Sequence, residues 1–330
     1  MADRRVIQLL FKIGKCLAFT PFSLTGSKSS RFQKIYKSAI LIFYTAVTIY
    51  TWYSRMIFYV DLTKIQLVLK VLIDVNVYAH NFYTLVVVKQ EHWFTLMCCL
   101  ANIDNQAKQD SYLLTALVPL VTVGGVIITE LCYWYYSFGW YSLCFFFFEV
   151  VHNYCQFFYN VLTGVILKMI LARYKYQTVL ARSQVHLSRL RRNFHELTCA
   201  IRVFNDVFGW VILLNICVVI PKIMVCIHYL IRGSRTTFKH KSQYFFLLQN
   251  IELGLNMIGV LWITQLCDAI IEEYDTILHS FSTGSIVQDT ILPRRPRFTA
   301  ARFFTIQKFT TFSVVNTLLT FTLVIIQLDL

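Results

Sequence analysis

Apolar residues fall in seven long blocks that are separated by polar segments. Each block holds about 20 to 30 residues, which is the length of an α-helix that crosses the hydrocarbon core of a bilayer. Lipid offers no hydrogen bonds, so each block must pair its own backbone groups and is predicted to be helical. We therefore predict an all-α, polytopic membrane protein with seven transmembrane helices, at residues 38–60, 64–88, 112–136, 140–171, 208–231, 242–270 and 305–328.

The polar segments divide the chain into six parts. Between the fourth and fifth spans, apolar residues recur at helical spacing with arginines among them, which predicts an amphipathic helix with a basic face. This helix either faces solvent and lipid headgroups or joins a cytosolic bundle that ties subunits together, and the sequence favours neither. The parts are a basic cytosolic N-terminal arm (1–37), spans one to four (38–171), the cytosolic amphipathic helix (172–207), spans five and six (208–270), a cytosolic anchor segment (271–304) and the last span (305–330).

The composition excludes a water-soluble protein. Hydrophobic residues make up 57% of the 330 residues and charged residues 15%, and the mean hydropathy is +0.56. Soluble domains hold about 45–50% apolar and about 25% charged residues. In a soluble chain the net charge of +14 would suggest nucleic acid. Here the basic residues lie in loops beside apolar spans, so we expect the lipid bilayer as a partner and no nucleic acid.

The distribution of lysine and arginine predicts how the spans are oriented. The N-terminal arm and every second loop after it, together with the span ends beside them, hold 23 of the 31 basic residues, whereas the alternate loops and the span ends beside those hold 6. Loops on the cytoplasmic side carry the excess of basic residues. The N-terminus is therefore expected inside the cell and, with an odd number of spans, the C-terminus outside.

No constellation of catalytic or metal-ligating residues occurs in the sequence. The ten cysteines are scattered, without a Cys-x-x-Cys pair. His195 and Glu196 begin like the zinc-protease motif His-Glu-x-x-His, but Cys199 stands where the second histidine is needed. Phosphate-binding glycine loops and the Gly-x-Ser-x-Gly turn of hydrolases are also missing. We expect no enzyme, no metal and no cofactor.

The last span carries a stripe of polar residues on one helical face. Ser313, Asn316, Thr320 and Gln327 are three, four and seven residues apart, which keeps them on one side of the helix. An amide that faces lipid loses its hydrogen bonds, so the stripe must meet protein or water. The stripe either forms hydrogen bonds to neighbouring helices or lines a pore, and both interpretations stay open.

The end of this span also carries a motif. Residues 320–328 read Thr-Phe-Thr-Leu-Val-Ile-Ile-Gln-Leu. This resembles the Thr-Tyr-(five apolar residues)-Gln-Phe motif that ends the last span of insect gustatory receptors. Thr320 and Gln327 match at the family's spacing, while Phe321 and Leu328 replace the tyrosine and the phenylalanine. Any role that needs the lost hydroxyl or ring is therefore not carried over.

Two neighbouring features refine the resemblance. Residues 298–306, which read Phe-Thr-Ala-Ala-Arg-Phe-Phe-Thr-Ile, are similar to the small-residue, double-aromatic entry to the last span in that family. Thr322 stands where the sugar-sensing branch has glutamate, which argues against a sugar receptor.

The resemblance implies a ligand-gated cation channel that a small-molecule tastant opens. It implies a homo- or hetero-tetramer of related subunits in the plasma membrane of sensory neurons, with the last helix around the axis. Two alternatives are a G-protein-coupled receptor, which has the reverse orientation, and a membrane transporter, which the absence of an internal repeat disfavours. The residues implied to line the pore are Asn316, Thr320, Leu323, Val324, Gln327 and Leu328, of which the apolar ones would form the gate.

Polar residues inside the other spans form a second candidate site. Lys70 and Asp74 lie four residues apart in span two, and Lys222 lies in span five. Intramembrane ionisable residues are functional-site candidates, although they could instead only neutralise one another. Aromatic residues near the outer ends form either an interfacial belt or the walls of a tastant pocket. The candidate ligand-binding residues are Lys70, Asp74, Glu130, Tyr133, Trp140, Glu149, Asn153 and Glu252.

Overall fold

The structure, a computed structural model, is helical almost throughout, which confirms the predicted fold class. It describes residues 2–21, 31–59, 64–103, 112–183, 187–233, 240–281 and 295–329. The elements are α1 (Ala2–Cys16), α2 (Arg31–Tyr59), α3 (Lys64–Phe82), a π-helical turn (Tyr83–Val87), α4 (Gln90–Asn102), α5 (Tyr112–Phe138), α6 (Trp140–Ser183), α7 (Leu187–Gly233), α8 (His240–Phe281), β1 (Thr299–Ala300), β2 (Phe304–Thr305) and α9 (Lys308–Asp329).

Seven of the described helices coincide with the seven predicted spans, namely α2, α3 and α5 to α9. By length and hydropathy alone, four stretches of the described chain are able to cross a membrane: Leu114–Tyr136, Val150–Arg182, Ser188–His228 and Asn250–Ser280. A fifth is added if Lys64–Val87 and Gln90–Asn102, which meet at 76°, form one span. Large apolar side chains are exposed along the outer faces of α2 and α5, where lipid would cover them: Ile42, Phe43, Ile49, Leu114, Val118, Val121 and Ile128.

Helix α6 lies at the centre of the bundle and packs against α5, α7 and α8. It packs tightly on α8 at Gly164, where a Cβ would come within 2.1 Å of the Trp262 ring. Only glycine leaves room for the indole at this position. The chain enters α6 from α5 through Gly139, whose φ of +74° favours glycine. This confirms the short turn that the sequence predicts between spans three and four.

The segment predicted as one amphipathic helix, 172–207, is not a separate element. Its first part continues α6 to Ser183, and its second part begins α7 at Leu187. Residues 172–183 contain neither proline nor glycine, so nothing in the backbone ends the helix where the apolar block ends. The segment therefore forms the two facing ends of a helical hairpin.

The apolar face of this segment is buried inside the protein. Phe194 lies between two tyrosines, with its ring centre 6.3 Å from that of Tyr174 and 6.5 Å from that of Tyr274. This burial favours the helical-bundle interpretation over a helix that lies on lipid headgroups. The buried residues at helical spacing are Leu190, Phe194, Leu197, Ile201 and Phe204.

The N-terminal part is not a simple basic arm. Helix α1 buries Val6, Leu10 and Phe11, and the Phe11 ring meets Trp93 of α4 edge to face at 5.3 Å. Helix α2 then begins at Arg31, seven residues before the predicted start of the first span. The apolar residues of this part recur at helical spacing between basic residues. A prediction from the charge alone therefore gives a basic arm and misses the buried face.

A short antiparallel hairpin leads into the last helix. Its strands β1 and β2 pair Thr299 with Thr305 and Ala300 with Phe304. Phe298, just before the hairpin, is fully buried and packs edge to face on Phe204 of α7 at 5.7 Å. The hairpin therefore fixes the start of α9 against α7.

The contact of Gly164 with Trp262 makes one substitution costly. Gly164→Ala pushes a methyl group into the indole, and such overpacking costs about 1–3 kcal/mol. The higher helix propensity of alanine offsets at most about 1 kcal/mol of this cost. Gly254→Ala is the control, because its new Cβ meets no atom within 4 Å. We expect a lower melting temperature of the detergent-solubilised protein for Gly164→Ala only, and an unchanged melting temperature would contradict the close packing of α6 on α8.

Candidate functional site

A cavity of about 360 Å³ lies between α2, α3, α6 and α7. Its wall is mainly apolar, with hydroxyl, imidazole, amide and charged groups at a few positions, a composition typical of small-molecule sites. Helices α2 and α3 contribute most of the wall, whereas α6 contributes two adjacent residues and α7 contributes Lys222. The lining residues are Thr45, Thr48, Ile49, Thr51, Trp52, Ile73, Asp74, Val75, Val77, Tyr78, His152, Asn153 and Lys222.

A buried ion pair marks the polar end of this cavity. The ammonium nitrogen of Lys222 on α7 lies 2.9 Å from Oε1 of Glu252 on α8 and 2.9 Å from Oδ1 of Asn153 on α6. Only 14% of the Lys222 side chain and 13% of the Glu252 side chain are exposed. Buried charges require such partners, because an unpaired charge in an apolar interior is very unfavourable. The pair therefore joins α7 to α8, and Asn153 adds α6.

Much of the remaining wall is formed by α3 together with α2. Asp74 and Tyr78 lie four residues apart on α3, and both line the cavity. The Tyr78 hydroxyl lies 3.2 Å from the Thr45 hydroxyl of α2. One turn further along α3, the Asn81 amide nitrogen lies 2.6 Å from Nδ1 of His152 on α6. Hydrogen bonds thus hold α2 and α6 to α3 around the cavity.

Polar side chains continue from the ion pair along the interface of α6 with α7. Asn215 donates its amide to Oδ1 of Asn160 at 2.6 Å. This pair lies two helical turns, about 10 Å, from Lys222 and Asn153. Gln156 lies between the two levels on α6, is 2% exposed, and has no hydrogen-bond partner for either amide atom among the described residues. Buried amides of this kind are typically satisfied by ordered water, so we expect a hydrated polar column here.

The structure brings three of the predicted ligand-binding residues together. Asp74 and Asn153 line the cavity, and Glu252 binds Lys222, which lines it. Lys70 lies one turn before Asp74 on α3 and is half-buried, but it is not part of the wall. Contact of these residues with a ligand stays a prediction.

The other predicted residues lie elsewhere. Glu130 is buried on α5, and the ring of Tyr133 lies 6.2 Å from that of Trp134 on the same helix. Trp140, at the start of α6, is 69% exposed. These three side chains do not line the cavity. Glu149 belongs to α6, but its side chain lies outside the described part of the structure.

Several wall residues are not singled out by the sequence analysis, notably Thr45, Trp52, Tyr78 and His152. The sequence identifies Lys222 as an intramembrane charge, but it does not predict the contact of Lys222 with Glu252. A signal exists for α3, because Asp74, Tyr78 and Asn81 follow the helical spacing of four and three residues. The hydroxyls of α2 give no comparable signal, because threonine is common in apolar helices and bonds its own backbone, as Thr45 does to Leu41.

The polar stripe of α9 lies on the surface of the chain. Asn316, Thr320 and Gln327 are exposed, and so are Leu323 and Val324. The side chain of Leu328 lies outside the described part. An amide exposed on a helix that crosses a bilayer must meet water or another protein chain. Both a pore lining and a contact between subunits satisfy this requirement.

The fold as a whole matches that of a solved receptor. It superposes on the structure of the insect olfactory receptor OR5 from Machilis hrabei with a TM-score of 0.72, at 13% sequence identity over 98% of each chain. The structure of that receptor in complex with eugenol gives a TM-score of 0.71 at 12% identity, over 99% of this chain and 100% of that one. At such identities the likeness shows the fold, and it confirms a multi-pass helical membrane architecture. No protein-family model and no curated protein sequence matches the chain.

The ion pair predicts an asymmetric response to substitution. Lys222→Met leaves the Glu252 carboxylate buried without its partner, which costs about 3–5 kcal/mol. Replacing both residues, Lys222→Met with Glu252→Met, removes both charges and should recover most of that loss. Arg191→Met, an exposed residue of α7, is the control. We expect the highest melting temperature for the control, an intermediate one for the double variant and the lowest for the single variant. A single variant as stable as the double would show that the pair does not hold α7 to α8.

Proposed function

We propose that this chain is a gustatory-type chemosensory receptor, a ligand-gated cation channel opened by a small non-sugar tastant such as a bitter compound. The observation that carries the proposal is the position of the cavity. A small-molecule-sized cavity with a buried ion pair lies inside a fold shared with an insect olfactory receptor, one whose complex with eugenol has been solved. The motif at residues 320–328 supports the gustatory branch of such receptors.

The chemistry of the wall supports a mainly apolar ligand with one or two polar groups. Trp52, Ile73 and Val77 offer apolar and aromatic surface, whereas Asp74, Tyr78 and Asn153 offer hydrogen bonds at separate points. A sugar would press most of its hydroxyl groups against apolar side chains, at a cost for each unpaired group. The wall therefore supports a non-sugar ligand, in agreement with Thr322 in the motif.

The contacts of α9 support coupling between the cavity and a pore. Helix α9 packs against α7 and α8, which are the two helices that the Lys222–Glu252 pair joins. A ligand that competes for Lys222 or Asn153 changes the forces between α6, α7 and α8. In our proposal this displaces α9 and opens the pore, and a ligand can do so only through a higher affinity for the open arrangement.

The exposed stripe of α9 supports an assembly of several subunits. We propose a homo- or hetero-tetramer with related subunits, in the plasma membrane of sensory neurons, with the N-terminus inside and the C-terminus outside. Gln327, Thr320 and Asn316 would face water along the axis, and Leu323, Val324 and Leu328 would form an apolar gate that closes by excluding water.

The pore predicts a charge-dependent selectivity at Gln327. A ring of four amides carries dipoles without net charge, whereas Gln327→Glu adds up to four negative charges in a narrow ring. We expect Gln327→Glu to raise the permeability of calcium relative to sodium, and more strongly at low ionic strength, because screening is then weaker. Reversal potentials of agonist-evoked currents in sodium and calcium solutions measure this change.

Gln327→Ala is the matched control, because it removes the amide without adding charge. It should leave the calcium preference and the agonist potency close to those of the original channel, whereas Gln327→Glu should change ion selectivity more than agonist potency. If currents persist and neither substitution moves the reversal potential, α9 does not line the pore and its stripe serves contacts between subunits.

A further inference from the structure

A second cavity, of about 510 Å³, lies between α7 and the segment that leads into the β1–β2 hairpin. Its α7 wall is about 30 Å along the helix from Lys222, so it is separate from the cavity at the ion pair. Seven described residues line it, of which three are arginines and none is acidic. The lining residues are Thr198, Ile201, Arg202, Asn205, Arg295, Pro296 and Arg297, which we call the arginine cavity.

The wall of the arginine cavity is built by one helical face and one extended segment. Thr198, Ile201, Arg202 and Asn205 follow the spacing of three, four and seven residues along α7. Ile201 and Pro296 are buried, whereas the arginines are exposed. The cavity therefore has an apolar floor and a rim of guanidinium groups.

The extended segment is held in place by backbone contacts. Asn205 donates its amide to the carbonyl oxygen of Arg297 at 2.8 Å and accepts the backbone N–H of Thr299 at 3.1 Å. Phe298, between these two residues, is fully buried. The backbone that carries Arg297 is thus positioned before any ligand arrives, which lowers the entropic cost of binding.

Among the described residues, one of the three guanidinium groups has an acidic partner. Arg295 forms an ion pair with Asp275 of α8, and Asp206 of α7 is engaged by Arg302 at 3.1 Å. Within the described ranges, the guanidinium groups of Arg202 and Arg297 have no carboxylate within ion-pair distance. Asp206, which lies one turn after Arg202 on α7, is therefore engaged by another arginine, and two positive charges face a cavity.

We propose that the arginine cavity binds a phosphate group carried by a small polar headgroup. A guanidinium group offers paired N–H donors that match the oxygens of a phosphate, and arginine is enriched where such groups are recognised. The volume exceeds that of a phosphate alone and leaves room for a polyol or sugar ring beside it, which Thr198 and Asn205 are placed to contact. Arg202 and Arg297 hold the phosphate from opposite walls.

Two classes of ligand have a phosphate group on a small polar headgroup, namely an anionic lipid and a soluble phosphate ester. Arg202 lies six residues, about 9 Å, before the predicted start of span five, which is close to the predicted inner membrane surface. Anionic lipid headgroups are concentrated there, and basic pockets at that level are suited to them. The lipid source depends on the predicted inside position of this segment, whereas the phosphate chemistry does not.

Occupancy has a consequence that rests on the proposed function. A phosphate held between Arg202 and Arg297 ties α7 to the segment that leads into α9, and so adds a restraint at the base of the proposed pore helix. Binding itself is independent of channel activity and is tested without a tastant or a current.

The test uses the purified full-length chain in phosphatidylcholine nanodiscs. One arm measures equilibrium binding of soluble inositol 1,4,5-trisphosphate. The other adds phosphatidylinositol 4,5-bisphosphate to the nanodisc and counts the lipid molecules retained by the protein in native mass spectrometry. The variant is Arg202→Gln with Arg297→Gln, and the control is Arg191→Gln with Arg192→Gln, which removes two exposed arginines of α7 outside the cavity.

We expect binding in at least one arm, weakened about tenfold or more by the cavity variant and little changed by the control. The arm that responds identifies the source. If the cavity variant lowers the melting temperature, Arg202→Lys with Arg297→Lys keeps the charge, and it should still bind more weakly because it loses the paired donors. No binding in either arm, or equal binding by the cavity and control variants, overturns the proposal.

Discussion

Two opposite charges inside an apolar helical bundle compensate each other, and separating them is strongly unfavourable. In this protein the two charges are those of Lys222 and Glu252. Their contact at 2.9 Å, shared with Asn153, fixes the relative height of α6, α7 and α8. The same relative heights bring Asn215 to Asn160 two turns away. The cavity, its polar end and the two helices that support α9 therefore all depend on this contact.

The apolar cavity and the amide of Gln156 beside the ion pair, unsatisfied among the described residues, make this contact adjustable. A fully desolvated pair would be rigid, because each ion would have no substitute for its partner. Here Lys222 and Asn153 also line a cavity, and Gln156 lies beside them with an amide whose described surroundings offer no hydrogen bond. A ligand that brings its own polar group can replace part of these interactions at low cost. Such a site can respond to a bound molecule without unfolding the bundle.

The sequence predicts the long helices well because lipid imposes a single rule on every span. Blocks of apolar residues must be helical, and the short gap between the third and fourth predicted spans indicates the turn at Gly139. The rule says less about the helical segments that precede or follow the apolar blocks. Helix α1 hides its apolar face among basic residues, α4 follows a bend of 76°, and α7 begins at Leu187, well before its apolar block. These boundaries depend on tertiary packing, which a single sequence does not display.

For the candidate site too, the sequence predicts individual residues but not the contacts between helices. Intramembrane polarity singles out Asp74, Asn153 and Glu252, and the structure brings them to one region. Sequence spacing within one helix suggests Lys70 beside Asp74, but it carries no information on contacts between helices. The partner of Lys222 is 30 residues away on another helix, so only the packed bundle shows it.

The central claim is that a small molecule opens a cation pathway formed by the receptor assembly itself. Calcium imaging of expressing cells against a panel of tastants identifies an agonist, which is then applied to the purified assembly in a planar lipid bilayer. We expect unitary currents that appear with the agonist and reverse near the potential set by the cation gradient. A response in cells that disappears in the bilayer and returns only with G proteins would contradict the account.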